Sequence, residues 1–327
     1  MLVPGTAPRL ATGLIAAGAI ALVGCGGSDD DANVSQPAPE AASFPAADGR
    51  TVQQLLSEEA DSEGPVVSPA GKVFHKGENR YAFGVFTLGG EQVEDAEVAI
   101  YAAHGANGKA QGPYPARVES LEVEPQFESR TSADDPDSAR TVYVADVSLD
   151  AGGEWRIGAL VRSGDSLQGS LAPSAVVGKF SDVPQPGDEA PRVHTPTVED
   201  VGGDLSKIDT RVPPDTMHQD DLAAVLGKEP VVLVFATPAL CQTRVCGPTA
   251  DVAEQVKAEH GDDVAFIHQE IYNDNSIDKG VRPQVRAYHL PTEPWVFVID
   301  ENGRITESIE GAASPEALEQ AVKQIDG

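Results

Sequence analysis

Cys241 and Cys246 are the side chains of this chain best suited to covalent chemistry. They stand in Phe235-Ala236-Thr237-Pro238-Ala239-Leu240-Cys241-Gln242-Thr243-Arg244-Val245-Cys246-Gly247-Pro248. A thiolate, not a thiol, is the nucleophile, and it forms where positive charge or unpaired amides offset its own charge. The apolar run Val231-Val232-Leu233-Val234-Phe235 ahead of them has the pattern of a fully buried strand. Ala253, Val256 and Ala258, separated by charged residues, continue behind them as a helix. The cysteines therefore fall where a strand gives way to a helix, and Cys241 is expected at the helix N-terminus, where the macrodipole favours a thiolate. Arg244 is expected to add positive charge beside it. The chemistry this points to is thiol–disulfide exchange, with Cys241 attacking and Cys246 resolving the mixed disulfide.

Four residues separate the two cysteines. On a continuous helix that spacing sets them about 140° apart and about 7.5 Å along the axis, unsuitable for a disulfide. Either the first turn is unwound, helped by Gly247-Pro248, or the helix opens to let the bond form.

The elements around the pair follow from the same periodicities. Met217 to Lys228 has helical spacing with Asp215 or Thr216 as its N-cap, and Leu222, Ala223, Val225 and Leu226 on one face. Val264-Ala265-Phe266-Ile267 reads as the next parallel strand, and Gly280 to Tyr288 as a helix. A hairpin follows, turning at Asp300-Glu301-Asn302-Gly303. Ser314-Pro315 opens a last helix with Leu318, Ala321, Val322 and Ile325 on one face. This succession, with the Gly187-Asp188-Glu189-Ala190-Pro191 opening, resembles the TlpA/ResA and peroxiredoxin branch of the thioredoxin superfamily over about residues 187–327. In that family the substrate strand lies against a cis-proline opposite the cysteines. The resemblance places Pro294 there, implies a cis Glu293–Pro294 bond and makes Glu293 and Pro294 the substrate-binding pair. Val234 stands where thioredoxins often carry a buried acid, so His268 or Glu270 on the next strand is the expected substitute.

A second resemblance is to Q-type peroxiredoxins, which share the cysteine spacing. They place a Thr three residues before the first cysteine and an Arg near the position of Pro294. Here those positions hold Pro238 and Pro294, which ranks peroxidase chemistry second. A structural disulfide in a non-catalytic binding lipoprotein is the third alternative. Copper delivery in the manner of Sco-like proteins, with His289 as distal ligand, is a weaker variant that the scarcity of Met argues against.

Upstream, residues 65–181 alternate in short runs: Arg80 to Thr87, Val98 to Tyr101, Thr141 to Val147 and Trp155 to Val161. Gly- and Asn-rich turns separate them, as in an antiparallel sandwich. The Asp150-Ala151-Gly152-Gly153-Glu154-Trp155 connection loosely resembles immunoglobulin-like envelope domains. Trp155 reads as core, and Glu122 to Arg140 as a solvated loop. His75 and His104 read as surface residues, so no metal ligand set and no cofactor is assigned. The fold class is thus an α/β thioredoxin-like C-terminal domain preceded by an all-β immunoglobulin-like sandwich, spanning 187–327 and 65–183, with a joint at Pro184-Gln185-Pro186-Gly187-Asp188.

The N-terminus concerns delivery. Arg9 and then the apolar run Leu10 to Val23 have the length of a signal-peptide core. The run ends in Leu22-Val23-Gly24-Cys25, which resembles the bacterial lipobox, so 1–24 reads as a lipoprotein signal peptide and Cys25 as the lipidation site. Residues 25–64 read as a lipidated, disordered tether, reaching roughly 35 Å, in which Thr51 to Leu56 could turn into a short helix that nothing nearby would bury. The chain has 23 basic and 52 acidic residues, a formal net charge of −29. Such a surface repels nucleic acid and anionic lipid alike, which excludes phosphate-backbone binding. The expected partners are thiol or disulfide proteins of the cell envelope and, through Cys25, the outer side of the cytoplasmic membrane.

Overall fold

The computed structural model describes Met1 and residues 35–261 and 263–325. The signal-peptide and lipidation readings, Cys25 included, lie outside the described residues. Among those residues no helix is long and apolar enough to cross a membrane.

The first half is two facing sheets. One contains β1 (Ser62–Glu63), β9 (Ser166–Val177), β8 (Gly153–Ser163), β4 (Val98–His104) and β5 (Gln111–Pro115), in that spatial order. The other runs β2 (Val66–Pro69), β3 (Gly77–Phe86), β7 (Thr141–Leu149) and β6 (Arg117–Ser120). All pairs are antiparallel except β1 with β9. Alternate residues of facing strands meet in one core, with Tyr81, Phe83 and Val85 against Val98, Ile100 and Ile157. Trp155 is fully buried in it, while His75 and His104 are exposed.

β4 is buried on both faces, which is why Val98-Ala99-Ile100-Tyr101-Ala102-Ala103 is apolar throughout rather than alternating. The outer face of β4, with Ala99, Tyr101 and Ala103, is covered by helix α1 (Val52–Glu59) through Val52, Leu55 and Leu56. Thr51 and Gln54 close a capping box at its start. Gly158 on β8 lets the helix settle: a Cβ there would stand 2.5 Å from Val52 Cγ1. This corrects the tether reading for residues 35–64. Gln36 already exchanges backbone hydrogen bonds with Val118, and the helix has an apolar sheet face to bury against, a face formed by residues far along the chain.

The second half is one sheet in the order β11 (Ala265–Glu270), β10 (Val231–Ala236), β12 (Trp295–Ile299), β13 (Ile305–Glu310). β10 and β11 are parallel, and β12 is antiparallel to both β10 and β13. One face of β10 (Val231, Leu233, Phe235) packs with Trp295, Phe297 and Tyr288. The other (Val232, Val234, Ala236) packs under the helices Cys246–His260 and Pro315–Val322. A parallel strand pair joined through a helix, followed by an antiparallel hairpin and a closing helix, is a thioredoxin-like arrangement.

The remaining helices are α2 (Arg130–Ala133), α3 (Leu222–Val225), α4 (Cys246–His260), α5 (Pro283–Ala287) and α6 (Pro315–Val322). α3 corrects the helix expected over 217–228: it is capped by Asp221, not by Asp215 or Thr216. Upstream of it the chain is held in turns by its own aspartates. Asp209 accepts from the amides of Arg211 and Asp215, and Asp215 from that of Met217, an alternative to helix that short acidic side chains offer the backbone. The 122–140 segment is likewise no free loop. Ser129 is fully buried, and its amide and hydroxyl both donate to Asp251 of α4.

From residue 35 onward the chain packs as one compact unit. The outer face of β7 (Val142, Val144), with Ala82 and Ala139, meets Val245 and Ala312. Arg211, 5% exposed, joins Asp251 at 2.7 Å to the Phe127 carbonyl. Glu310 of β13 accepts the amides of Lys72 and Val73, each at 2.8 Å, and the hydroxyl of Thr292. The segment after the expected joint runs along β13, with Gly187 and Ala190 donating to Ile305 and Gly303.

Candidate thiol site

β10 ends at Ala236, and Pro238–Leu240 forms one turn of 3-10 helix that finishes at Cys241. The next four residues loop outward, turned by Arg244 at φ 67°, and α4 begins at Cys246 itself. The stretch between the cysteines is therefore non-helical, the first of the two expected alternatives, and the helix starts at the second cysteine. Its first amide, on Cys246, donates to Cys241 Sγ at 3.1 Å. One of the unpaired donors of a helix N-terminus thus points at the first sulfur.

The two thiols are perturbed in opposite directions. A hydrogen bond from the Cys246 thiol is the main cause that lowers Cys241 to a pKa of about 6; Thr243 and the Cys246 amide add to it against the effect of burial. Thr243 Oγ1 lies 3.4 Å from the sulfur and also donates to the Glu293 carbonyl at 3.1 Å. Cys246 is fully buried, and its pKa is pushed well above the usual thiol value by desolvation, then by its bond to Cys241. The Thr237 amide, which donates to the Cys246 sulfur, opposes this. Both cysteines are free thiols, Cys241 partly accessible.

Across the loop the Glu293–Pro294 bond is cis, as expected from the sequence. The Glu293 carbonyl meets Thr243, and burial together with the Cys241 charge holds the Glu293 carboxyl above its usual range. Cys241, Cys246, Glu293 and Pro294 are thereby brought to one place. Arg244 is not. Its guanidinium pairs with Asp137 at 3.4 Å and lies over the Phe86 ring, and its carbonyl accepts the Ala139 amide. The left-handed turn at Arg244 aims the side chain at the sandwich, so its expected role in tuning the thiol is corrected.

His268 and Glu270 do not stand in for the missing acid either. His268 pairs in register with Val234, but its ring bonds Asp215 Oδ2 at 2.7 Å and the Ala236 carbonyl at 3.1 Å. Glu270 accepts from the amide and hydroxyl of Thr210. The carboxyl whose charge acts on both sulfurs is Glu293. His289, exposed at the end of α5, has its own positive φ of 55°.

Sequence reading missed a second group. Asp209, Asp215, His218 and His268, all buried, bring one ligand-type atom each within 4.8 Å of the others. Asp209, Asp215 and His218 lie in one short segment, and the fourth member, His268, comes from a position remote in the chain.

Two solved structures, both from Chlorobium tepidum, are similar in part. One is described as a thiol:disulfide interchange protein DsbE, 19% identical over 44% of this chain and 99% of its own, with a TM-score of 0.33. The other, a thiol:disulfide interchange protein of the thioredoxin family, is 18% identical over 44% of this chain and 97% of its own, with a TM-score of 0.29. No protein-family model matches the chain, and a search of the curated proteins found no match.

Proposed function

We propose that the chain is a thiol–disulfide oxidoreductase, anchored through lipidated Cys25 on the outer side of the cytoplasmic membrane and acting on protein thiols or disulfides of the cell envelope. The observation that carries the chemistry is the Cys246 amide donating to Cys241 Sγ. It supports a thiolate at the accessible sulfur, with a protonated, buried partner waiting beside it.

In the reducing direction the Cys241 thiolate attacks one sulfur of a client disulfide. A mixed disulfide forms and the other client sulfur leaves as a thiolate. Cys246 then gives its proton to the client thiolate already released and attacks Cys241 Sγ. The Cys241–Cys246 bond forms, the second client thiolate is released, and two electrons have passed to the client. The reverse sequence oxidises a client dithiol. In this reading Pro294 and the Glu293 backbone bear the client strand. A carboxyl rather than a guanidinium beside Cys241 favours this exchange over peroxide reduction, which needs fixed positive charge at the sulfur. The sandwich, immunoglobulin-like in its strand succession, supports the cysteine loop.

Trapping tests the reading. Cys246→Ala in an intact cell envelope should accumulate mixed disulfides through Cys241 that thiol reductants release, and Cys241→Ser/Cys246→Ala should accumulate none. Absence of any captured partner with Cys246→Ala would count against exchange. Rapid, stoichiometric oxidation of the pair by hydrogen peroxide, well above the rate of a free thiol, would move the assignment to peroxidase.

A further inference from the structure

We propose that Asp209, Asp215, His218 and His268 bind one divalent transition-metal ion of the zinc type, at a site separate from the cysteines. The four side chains are 3%, 2%, 1% and 2% exposed. They converge from two places: the turn-rich segment before α3 and the middle of β11, to which that segment is tied by the His268 amide donating to the Met217 carbonyl.

The observation that asks for an occupant is His218. Neither of its ring nitrogens makes a hydrogen bond, although its Nε2 points between two carboxylates, 3.3 Å from Asp215 Oδ1 and 3.4 Å from Asp209 Oδ2. A buried polar atom left this way costs about 1–3 kcal/mol, so such atoms in folded proteins have partners or ligands. His268 is already held as a metal-bound imidazole is held. Its Nε2 donates to the Ala236 carbonyl at 3.1 Å, and its Nδ1 donates to Asp215 Oδ2 at 2.7 Å, a proton that a metal ion on Nδ1 would displace. The carboxylates are steadied in the same manner by the amides of Arg211, Asp215 and Met217.

Charge points the same way. With the His268 Nδ1 proton displaced, two carboxylates and two neutral imidazoles carry a double negative charge, which a divalent cation cancels without a buried excess of either sign. Two nitrogen and two oxygen donors suit zinc and its neighbours; magnesium and calcium prefer oxygen alone. No sulfur takes part. The Ala236 carbonyl that accepts from His268 ends the strand that leads into the cysteine loop.

The test uses the full-length chain, stripped with a chelator and then offered zinc, with bound metal measured after gel filtration. About one zinc per chain should be retained, and zinc should raise the thermal midpoint of the stripped protein. The stoichiometry should survive Cys241→Ser/Cys246→Ser, and also His260→Ala, which removes a ligand from the partly exposed Glu259, His260 and Glu319 group. His218→Gln should weaken zinc binding by about tenfold or more. If that variant does not fold, cobalt loaded into the unaltered protein decides: nitrogen and oxygen ligation gives weak visible bands without a sulfur charge-transfer band. Failure of the unaltered chain to retain zinc would overturn the proposal. So would zinc lost with the cysteines, or a sulfur charge-transfer band from cobalt. Each of these readouts is independent of thiol exchange, so the metal site and the oxidoreductase reading can fail separately.

Discussion

Cys241 and Cys246 differ by location more than by chemistry. One sulfur accepts a helix amide and its partner's thiol proton; the other is enclosed by apolar groups. Alkylation should therefore discriminate between them. With Cys241 at a pKa of about 6, its reaction with iodoacetamide should be near maximal at pH 7 and fall as pH drops through about 6, because protonation removes the nucleophile. Cys246, displaced upward, should stay unreactive across that range in the folded protein. Equal rates at pH 7, measured by mass spectrometry of the alkylated peptides, would contradict the assigned asymmetry. Glu293 supplies a second prediction. Its negative charge disfavours a thiolate nearby, so Glu293→Gln should move the Cys241 midpoint to lower pH, and a midpoint that rises would show that the carboxyl acts otherwise. At this scale the sequence was informative where the signal is short-range: two cysteines at a strand–helix boundary, and a proline entering the antiparallel strand. Arg244 was misread because a left-handed residue reverses the side-chain direction that a helical reading assumes. The His/Asp cluster stayed hidden because its members meet only after folding.

Elements were legible when one strand or helix carried its own pattern. The all-apolar β10, the hairpin turning at Gly303 and the amphipathic α6 all follow from residue type and period. α1 did not, because its partner surface lies some forty residues and more away on β4 and β8, and a helix of two turns is marginal without one. Its burial makes a prediction that a tether would not. Leu55 is fully buried, and Leu55→Ala should destabilise the protein by about 2–5 kcal/mol, read as a lower denaturant midpoint at unchanged slope. A loss within a few tenths of a kcal/mol would mean that α1 does not hold to the sheet in solution. α3 is short for a different reason, since the aspartates ahead of it hold backbone amides that a longer helix would need.

For the whole molecule, the two halves share buried polar contacts as well as apolar ones. Glu310 satisfies the amides of Lys72 and Val73 with one carboxylate. Glu310→Ala would remove both bonds; water can replace the exposed one at Lys72, the half-buried Val73 amide would be left at a cost of about 1–3 kcal/mol, and the thermal midpoint of the entire chain rather than of one half should fall. Calorimetry of the unaltered protein should accordingly show one cooperative transition; two separated transitions would mean that the halves melt independently. Composition told of an acidic surface but nothing of this joint, since contacts between halves leave no periodic trace in either.

The tie between the Arg244 carbonyl and the Ala139 amide, with Val245 seated against Val142 and Val144, has a mechanical consequence. The far limb of the cysteine loop is bolted to a rigid wall, so motion that joins or parts the two sulfurs must be taken up by the near limb, Cys241 to Thr243. The sandwich then serves as the anvil against which that limb bends.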